Sequence, residues 1–310
     1  MSSAWTPKPV KRIAVIGMGT MGMQIAALST CAGYETHVYD GLEGAVERAL
    51  RRLREEVIPG IVESGMNPTP ATVEESLARF VHASSLADAV ADVDLVIEAV
   101  KEDIDVKLEV FAELSRLAPE AILATGSSSL LSRPLAEVVS NPERLLNMHF
   151  FAPVWVRTMV ELMTCGQTSE AVFAETTAVG KAMGLVVARV QGESKGFIIN
   201  RVWRAIKRES LRVVDEGHAT PEDVDRLFML FFEAERAPFA TMDLVGLDVV
   251  ADIERSYHAV ATDPADVPIK LLTDKVANGE LGEKTGKGFY TYPNPSYARD
   301  NFLRPDDPEE

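Results

Sequence analysis

The stretch "RIAVIGMGTMGMQIAALSTCAGYETHVYD", residues 12–40, decides the fold because three local signals follow one another in it. An apolar run rich in β-branched residues ends at Ile16, which predicts a strand. Gly17, Gly19 and Gly22 then fall in GxGxxG spacing, and the apolar residues after them recur at helical intervals as far as Gly33. "ETHVYD", 35–40, again has the texture of a strand. Strand, helix and strand within about 30 residues is the size of a right-handed parallel crossover.

Glycine triplets also occur in plain turns, so the pattern alone is weak evidence. Here it leaves a strand and opens a helix, and Asp40 follows Gly22 by 18 residues at the end of the second strand. In that context the first glycine permits the tight turn and the second admits a pyrophosphate to the backbone. The third lets helix and strand pack closely, and the N-terminus of the helix favours the phosphate charge. Thr20 and Met21, at the opening of the helix, belong to the same cofactor site, and Asp40 would accept from the ribose hydroxyls. The next residues, "GLEG", offer no arginine for a 2′-phosphate, so NAD is expected rather than NADP.

Outward from this unit the alternation continues. A charged helix is expected from about Glu43 to Glu63, a short strand near "RFVHA" and a buried strand at "DLVIEAV", 94–100. A helix over "IDVKLEVFAELSRLA" and strands at "AILATG" and "LVVARV" follow. The pattern predicts an α/β fold with a Rossmann-type, doubly wound parallel sheet. Beyond "QGES" only helical spacing remains: one helix stops at Gly217, and the next opens with Thr220 as N-cap and Pro221 in its first turn. The expected division is therefore 1–191 for the dinucleotide-binding domain and 192–310 for an all-α C-terminal domain. The tail "RPDDPEE" reads as a frayed acidic end.

A formal net charge of −16 argues against nucleic-acid or anionic-membrane partners, which need a basic face. No apolar run approaches the roughly 18 residues of a membrane helix, and "MSSAWTPKPVKR" has no secretory apolar stretch, so a cytoplasmic protein is expected. Cys31 and Cys165 lack metal-ligand or CxxC spacing and read as core fillers; no metal site is expected.

A second stretch carries chemistry. "RLLNMHFFAPVWVRTMVELM", 144–163, places His149 and Glu161 on two apolar runs separated by a proline-containing turn. A histidine among Met and Phe is more often a core or capping residue than a base, and periodicity does not decide between them.

Taken together, "VIGMGTMG", "DLVIEAVKED", "LATGSSSL", "MHFFAPV" followed by "MVEL", "GFIINR", "EDVDRL", "DLVGLD" and "GEKTGKGFYTY" resemble the 3-hydroxyacyl-CoA dehydrogenase family over nearly the whole chain. The resemblance implies NAD-dependent oxidation of a 3-hydroxyl to a ketone in fatty-acid metabolism, and a homodimer built through the C-terminal domain. It puts the catalytic histidine at His149, its partner at Glu161, a substrate-contacting serine at Ser128 and an active-site asparagine at Asn200. Glu102 and Lys107 match positions near the nicotinamide half of the cofactor. The chemistry suits these residue types. An imidazole takes the hydroxyl proton, a carboxylate on its other nitrogen fixes the tautomer, and Ser and Asn hold the substrate oxygen.

Two asparagines usual in the family are absent: Gly126 and Ala152 stand in their places. Lys195 replaces a usual proline, and Trp155 and Arg157 replace small aliphatic residues after the histidine; all three are candidate substrate contacts for an anionic or aromatic group. Arg51, Arg52 and Arg54 lie where the family contacts CoA, but charges on a helix also form a plain solvated face. The alternatives are a dehydrogenase of a free 3-hydroxy acid, of the L-gulonate or L-carnitine type, and a weakly active NAD-binding structural protein of the lens-crystallin type.

Overall fold

The computed structural model describes residues 6–66, 72–261, 263 and 266–304; most of the acidic tail, 305–310, lies outside them. The chain divides into two compact units, Met1–Ile198 and Ile199–Glu310, whereas the change of sequence texture falls near 191. Residues 192–198 run with the first unit, and Phe197 is buried there against Met163 and Val190.

In the first unit the elements run β1 (Arg12–Ile16), α1 (Thr20–Cys31), β2 (Glu35–Tyr39), α2 (Ala45–Arg52), α3 (Ile58–Glu63), α4 (Val73–Leu77) and β3 (Phe80–His82). After these come α5 (Leu86–Ala89), β4 (Leu95–Glu98), α6 (Ile104–Leu117), β5 (Ile122–Thr125), β6 (Leu145–Phe150), β7 (Met159–Thr164), α7 (Glu170–Ala182) and β8 (Val186–Arg189). The strands form one sheet in the order β3-β2-β1-β4-β5-β6-β7-β8. The first six are parallel, as the alternation of strand and helix requires. β7 departs from the expected parallel order: it turns back antiparallel on β6, and β8 follows β7 in parallel. Residues 151–158 are too short for a crossover helix, so the chain can only reverse there.

Side chains alternate across β1. Ile13 and Val15 pack with Ile25, Leu28 and Ile58 on one face of the sheet, while Ala14 and Ile16 pack with Phe111 and Leu114 on the other. Burial on both faces accounts for the unbroken apolar runs by which these strands were legible. The charged helix after β2 is not uniform: α2 passes through a π-helical turn at Leu53–Val57 into α3. Cys31 and Cys165 are both buried as free thiols.

The second unit comprises α8 (Ile199–Asp215), α9 (Pro221–Phe232), α10 (Pro238–Val245), α11 (Leu247–His258) and α12 (Lys270–Ala277) around Leu211, Phe239, Met242, Val250 and Leu272. Thr220 caps α9 by accepting from the Asp223 N–H, with Pro221 in the first turn. Two buried aspartates organise this unit. Asp225 accepts from the Phe239 and Ala240 N–H groups and from the Tyr290 hydroxyl; Asp243 accepts from the Phe289 and Tyr290 N–H groups and the Tyr292 hydroxyl. A Cβ at Gly288 would stand 2.1 Å from Asp243 Oδ1, so the "GKGFYTY" run is shaped by that carboxylate. No helix among the described residues is long and apolar enough to cross a membrane.

Candidate active site

The glycine turn leaves β1 at the C-terminal end of the sheet. Gly17 has φ +97°, and a Cβ there would meet the Ala99 carbonyl oxygen at 2.6 Å. A Cβ on Gly22 would lie 1.8 Å from the Gly17 carbonyl oxygen, so helix and strand approach too closely for any side chain. Gly19 differs: beyond its own chain neighbours, a Cβ there meets no atom of the described residues within 4 Å. Packing does not require glycine at 19, whereas a phosphate approaching the backbone does. Gly19 is the N-cap of α1, with no side-chain cap and no acid in the first turn, which leaves the N–H groups of Thr20, Met21 and Gly22 for an anion. Asp40 Oδ2 accepts from the Met18 N–H at 2.7 Å and Oδ1 from the Leu42 N–H at 2.8 Å. Each carboxylate oxygen retains acceptor capacity for a ribose hydroxyl. These residues fit a dinucleotide.

At the ends of β4 and β5 a polar cluster is buried. Glu98 and Lys107 are 0 % and 1 % exposed, and Lys107 Nζ stands 2.6 Å from Glu98 Oε1. Glu98 also accepts from the Val100 N–H and the Thr125 hydroxyl, so every buried charge has a partner. Lys107 reaches Glu102 at 3.4 Å. Glu102 Oε1 in turn accepts from the hydroxyls of Ser127 and Ser129 and from the backbone N–H groups of Ser128 and Ser129. Burial pushes the Glu102 carboxyl up, but the serine hydrogen bonds and the Lys107 charge outweigh it and hold it below the ordinary range. Lys107 thus acts through Glu102, while Ser128 is exposed on a loop whose backbone that carboxylate fixes. Asn147, on β6, secures the continuation of the loop by accepting from Ser132 N–H and donating to the Leu130 carbonyl. A Cβ at Gly126 would come 3.0 Å from the Glu98 carbonyl oxygen, so the loop lies close to β4 and a larger residue there requires a small shift of one or the other.

His149 and Glu161 face each other directly across the β6–β7 ladder. His149 Nδ1 and Glu161 Oε2 are 2.9 Å apart, and both residues are at most 4 % exposed. Glu161 Oε1 accepts from the Ile198 N–H at 3.0 Å. The carboxylate is an acceptor at both oxygens, so Nδ1 carries the proton and Nε2 is the nitrogen free to take one. Phe151 and Phe197 pack on the imidazole at 4.2 and 4.5 Å between ring centres, which fixes its plane.

The turn after His149 is bound to two helices. Its Val154 N–H donates to the buried Gln24 Oε1 of α1 at 3.0 Å. Trp155 lies on α3, where a Cβ at Gly60 would come 2.9 Å from the indole. Trp155 therefore packs as a peg between the turn and α3. The exposed Arg157 donates to the Ala152 carbonyl and has no acid partner among the described residues. Of the helix arginines, Arg52 pairs with Glu56 and Arg54 with Glu74, while Arg51 is exposed without an ion pair among the described residues. Asn200 stands in the first turn of α8 in the second unit, and Lys195 is half-buried ahead of it. Sequence reasoning did not single out Gln24, Glu98, Thr125 or Asn147. Their only sequence signal is a polar residue inside an apolar run, which every fold contains.

The model of the 3-hydroxyacyl-CoA dehydrogenase NAD-binding domain matches residues 12–194, and that of the family's C-terminal domain matches residues 196–292. A 3-hydroxybutyryl-CoA dehydrogenase of Mycobacterium tuberculosis is 35 % identical over 286 residues, 91 % of this chain and 99 % of that protein. The crystal structure of the (S)-3-hydroxybutyryl-CoA dehydrogenase of Ralstonia eutropha matches with a TM-score of 0.84 at 31 % identity, covering 92 % of this chain and 100 % of that one. A diketoreductase structure, described as acting on dicarbonyl compounds, matches with a TM-score of 0.80 at 29 % identity over 92 % and 100 % of the two chains. The glycine turn, the paired His149 and Glu161 and these likenesses agree, and the chain belongs to the 3-hydroxyacyl-CoA dehydrogenase family, with that family's NAD-binding domain over residues 12–194.

Proposed function

We propose that the protein oxidises an (S)-3-hydroxyacyl-CoA to the 3-oxoacyl-CoA with NAD, using His149 as base and Glu161 to orient it. Bound NAD supplies the acceptor for the C3 hydride. The hydroxyl proton leaves to His149 Nε2, and the imidazolium so formed is stabilised by Glu161, which already holds Nδ1–H. Ser128 and Asn200 take the substrate oxygen, on the family likeness. Gly19, Thr20, Met21 and Gly22 receive the pyrophosphate, Asp40 the adenosine ribose and Glu102 the nicotinamide side, with Lys107 behind it. The observation that supports this reading most directly is the 2.9 Å bond between His149 and Glu161, opposite each other in the ladder. NADH formation with 3-hydroxybutyryl-CoA and longer hydroxyacyl-CoAs tests it; turnover of free hydroxy acids alone refutes it.

A second reading, oxidation of a free 3-hydroxy acid such as L-gulonate or L-carnitine, is favoured by Arg157, a cation beside Ala152 with no acid partner among the described residues. We place the protein in the cytoplasm as a homodimer joined by the second unit. Leu227, Phe231 and Phe232 are 65, 81 and 61 % exposed on α9, an apolar face that a second copy would cover. Sedimentation at micromolar concentration tests the dimer. NADH binding without turnover of any substrate would mark a crystallin-like role.

A further inference from the structure

Gln24 is buried on α1, 4 % exposed, and the proton-transfer scheme gives it no part. Its Oε1 accepts from the Val154 N–H at 3.0 Å. A backbone N–H can only donate, so this bond fixes which end of the amide is oxygen and leaves the two Nε2 hydrogens on the other side. Nε2 has no partner among the described residues. Nε2 is not among the buried polar atoms that lack a partner, so it opens onto accessible space, where an oxygen from outside the chain can take its hydrogens in place of water. Gln24 follows Thr20 by four residues, one turn up the same face of the helix. Side chains in a helix lean back toward its N-terminus, here the turn from Gly19 to Gly22. Val154, at the other end of the amide, lies five residues beyond His149.

We infer that Gln24 is a positioning residue with two tasks: Nε2 donates to an oxygen of the bound dinucleotide while Oε1 holds the turn that follows His149. The filled cofactor site and the placement of the base are then linked through one amide. The inference rests on the NAD reading of the glycine turn. Gln24→Glu separates the two tasks, because a carboxylate still accepts from Val154 but offers no donor.

The test is a fluorescence titration of the full-length protein with NADH, beside thermal unfolding of the free protein. We expect Kd for NADH to rise about tenfold or more in Gln24→Glu, and the unfolding midpoint to fall less than in Gln24→Met, which loses the turn bond as well. Gln24→Met has nearly the same length and no charge, and serves if the carboxylate variant fails to fold; it too should bind NADH about tenfold more weakly. Wild-type affinity in folded Gln24→Glu, with weakening only in Gln24→Met, would assign the amide to the turn alone and overturn the proposed donor. Wild-type affinity in both variants would do the same. Failure of the wild-type protein to bind NADH would instead sink the dinucleotide reading itself.

Discussion

Replacing Glu161 with Gln tests the proton-transfer scheme at its narrowest point. Glu161 is an acceptor twice over, from His149 Nδ1 and from the Ile198 N–H. An amide has a single oxygen. If that oxygen stays with the Ile198 N–H, the amide nitrogen faces Nδ1 and forces the ring proton onto Nε2, the atom that must be bare to act as base. The imidazolium also loses its counter-charge. For charge centres about 4 Å apart in an effective dielectric near 20, that interaction is worth about 4 kcal/mol, or about three decades in rate. We therefore expect kcat for NADH formation with 3-hydroxybutyryl-CoA to fall about a thousandfold. KM should change much less, because the lost interaction grows in the transition state. NADH affinity close to wild type would show that the glycine turn is intact. A kcat within about threefold of wild type, in a variant that binds NADH normally, would refute the role given to Glu161.

Gly19 and Gly22 should separate ligand binding from folding. Gly19→Ala should leave thermal stability within about 1 kcal/mol but weaken NADH binding, whereas Gly22→Ala should unfold or lose several kcal/mol, since its Cβ would lie 1.8 Å from a carbonyl oxygen; equal melting temperatures would contradict this. Glu102→Gln, which weakens the hold on Ser127 to Ser129, should raise KM for NAD more than it lowers the melting temperature, measured by initial rates and calorimetry. Burial pushes the Asp225 carboxyl up to about 6, against about 3.9 unfolded, so the folded state binds the proton more tightly and the group's contribution falls as pH rises through that window. Relative to Asp225→Asn, the wild type should therefore lose about 1 kcal/mol between pH 5 and pH 7 in urea unfolding. A difference that does not move with pH would exclude the buried titration. Gly126→Asn should cost stability despite restoring the family's residue, because its Cβ meets the Glu98 carbonyl oxygen at 3.0 Å; an unchanged melting temperature would count against that fit.

Much of the fold was legible because β1, β4 and β5 are buried on both faces, so their apolar runs are continuous and the glycine turn between β1 and α1 has a spacing of its own. The reversal at β7 was not. Strand periodicity is the same in either direction, and only the shortness of residues 151–158 indicates an antiparallel return. The π-helical turn at Leu53–Val57 left no mark in a run of alternating charge. At the site, His149 and Glu161 could be named only through the family motifs, since nothing local distinguishes them from core polar residues. Their pairing depends on register, which forms in space. The same holds for Glu98 and Lys107, whose side chains meet between β4 and α6, and for Asp225 and Asp243, whose partners lie up to 65 residues away.

The ladder that pairs β6 with β7 also bears on how this enzyme could change. The register of base and carboxylate is set by hydrogen bonds between backbones, whose spacing does not depend on the side chains at 152, 155 and 157, whereas Phe151 packs on the imidazole and has to stay. On the roles proposed above, exchange of Ala152, Trp155 and Arg157 leaves His149 and Glu161 in register. If those three positions meet the substrate as proposed, a lineage, or an engineer, can vary them while the paired histidine and glutamate stay in place.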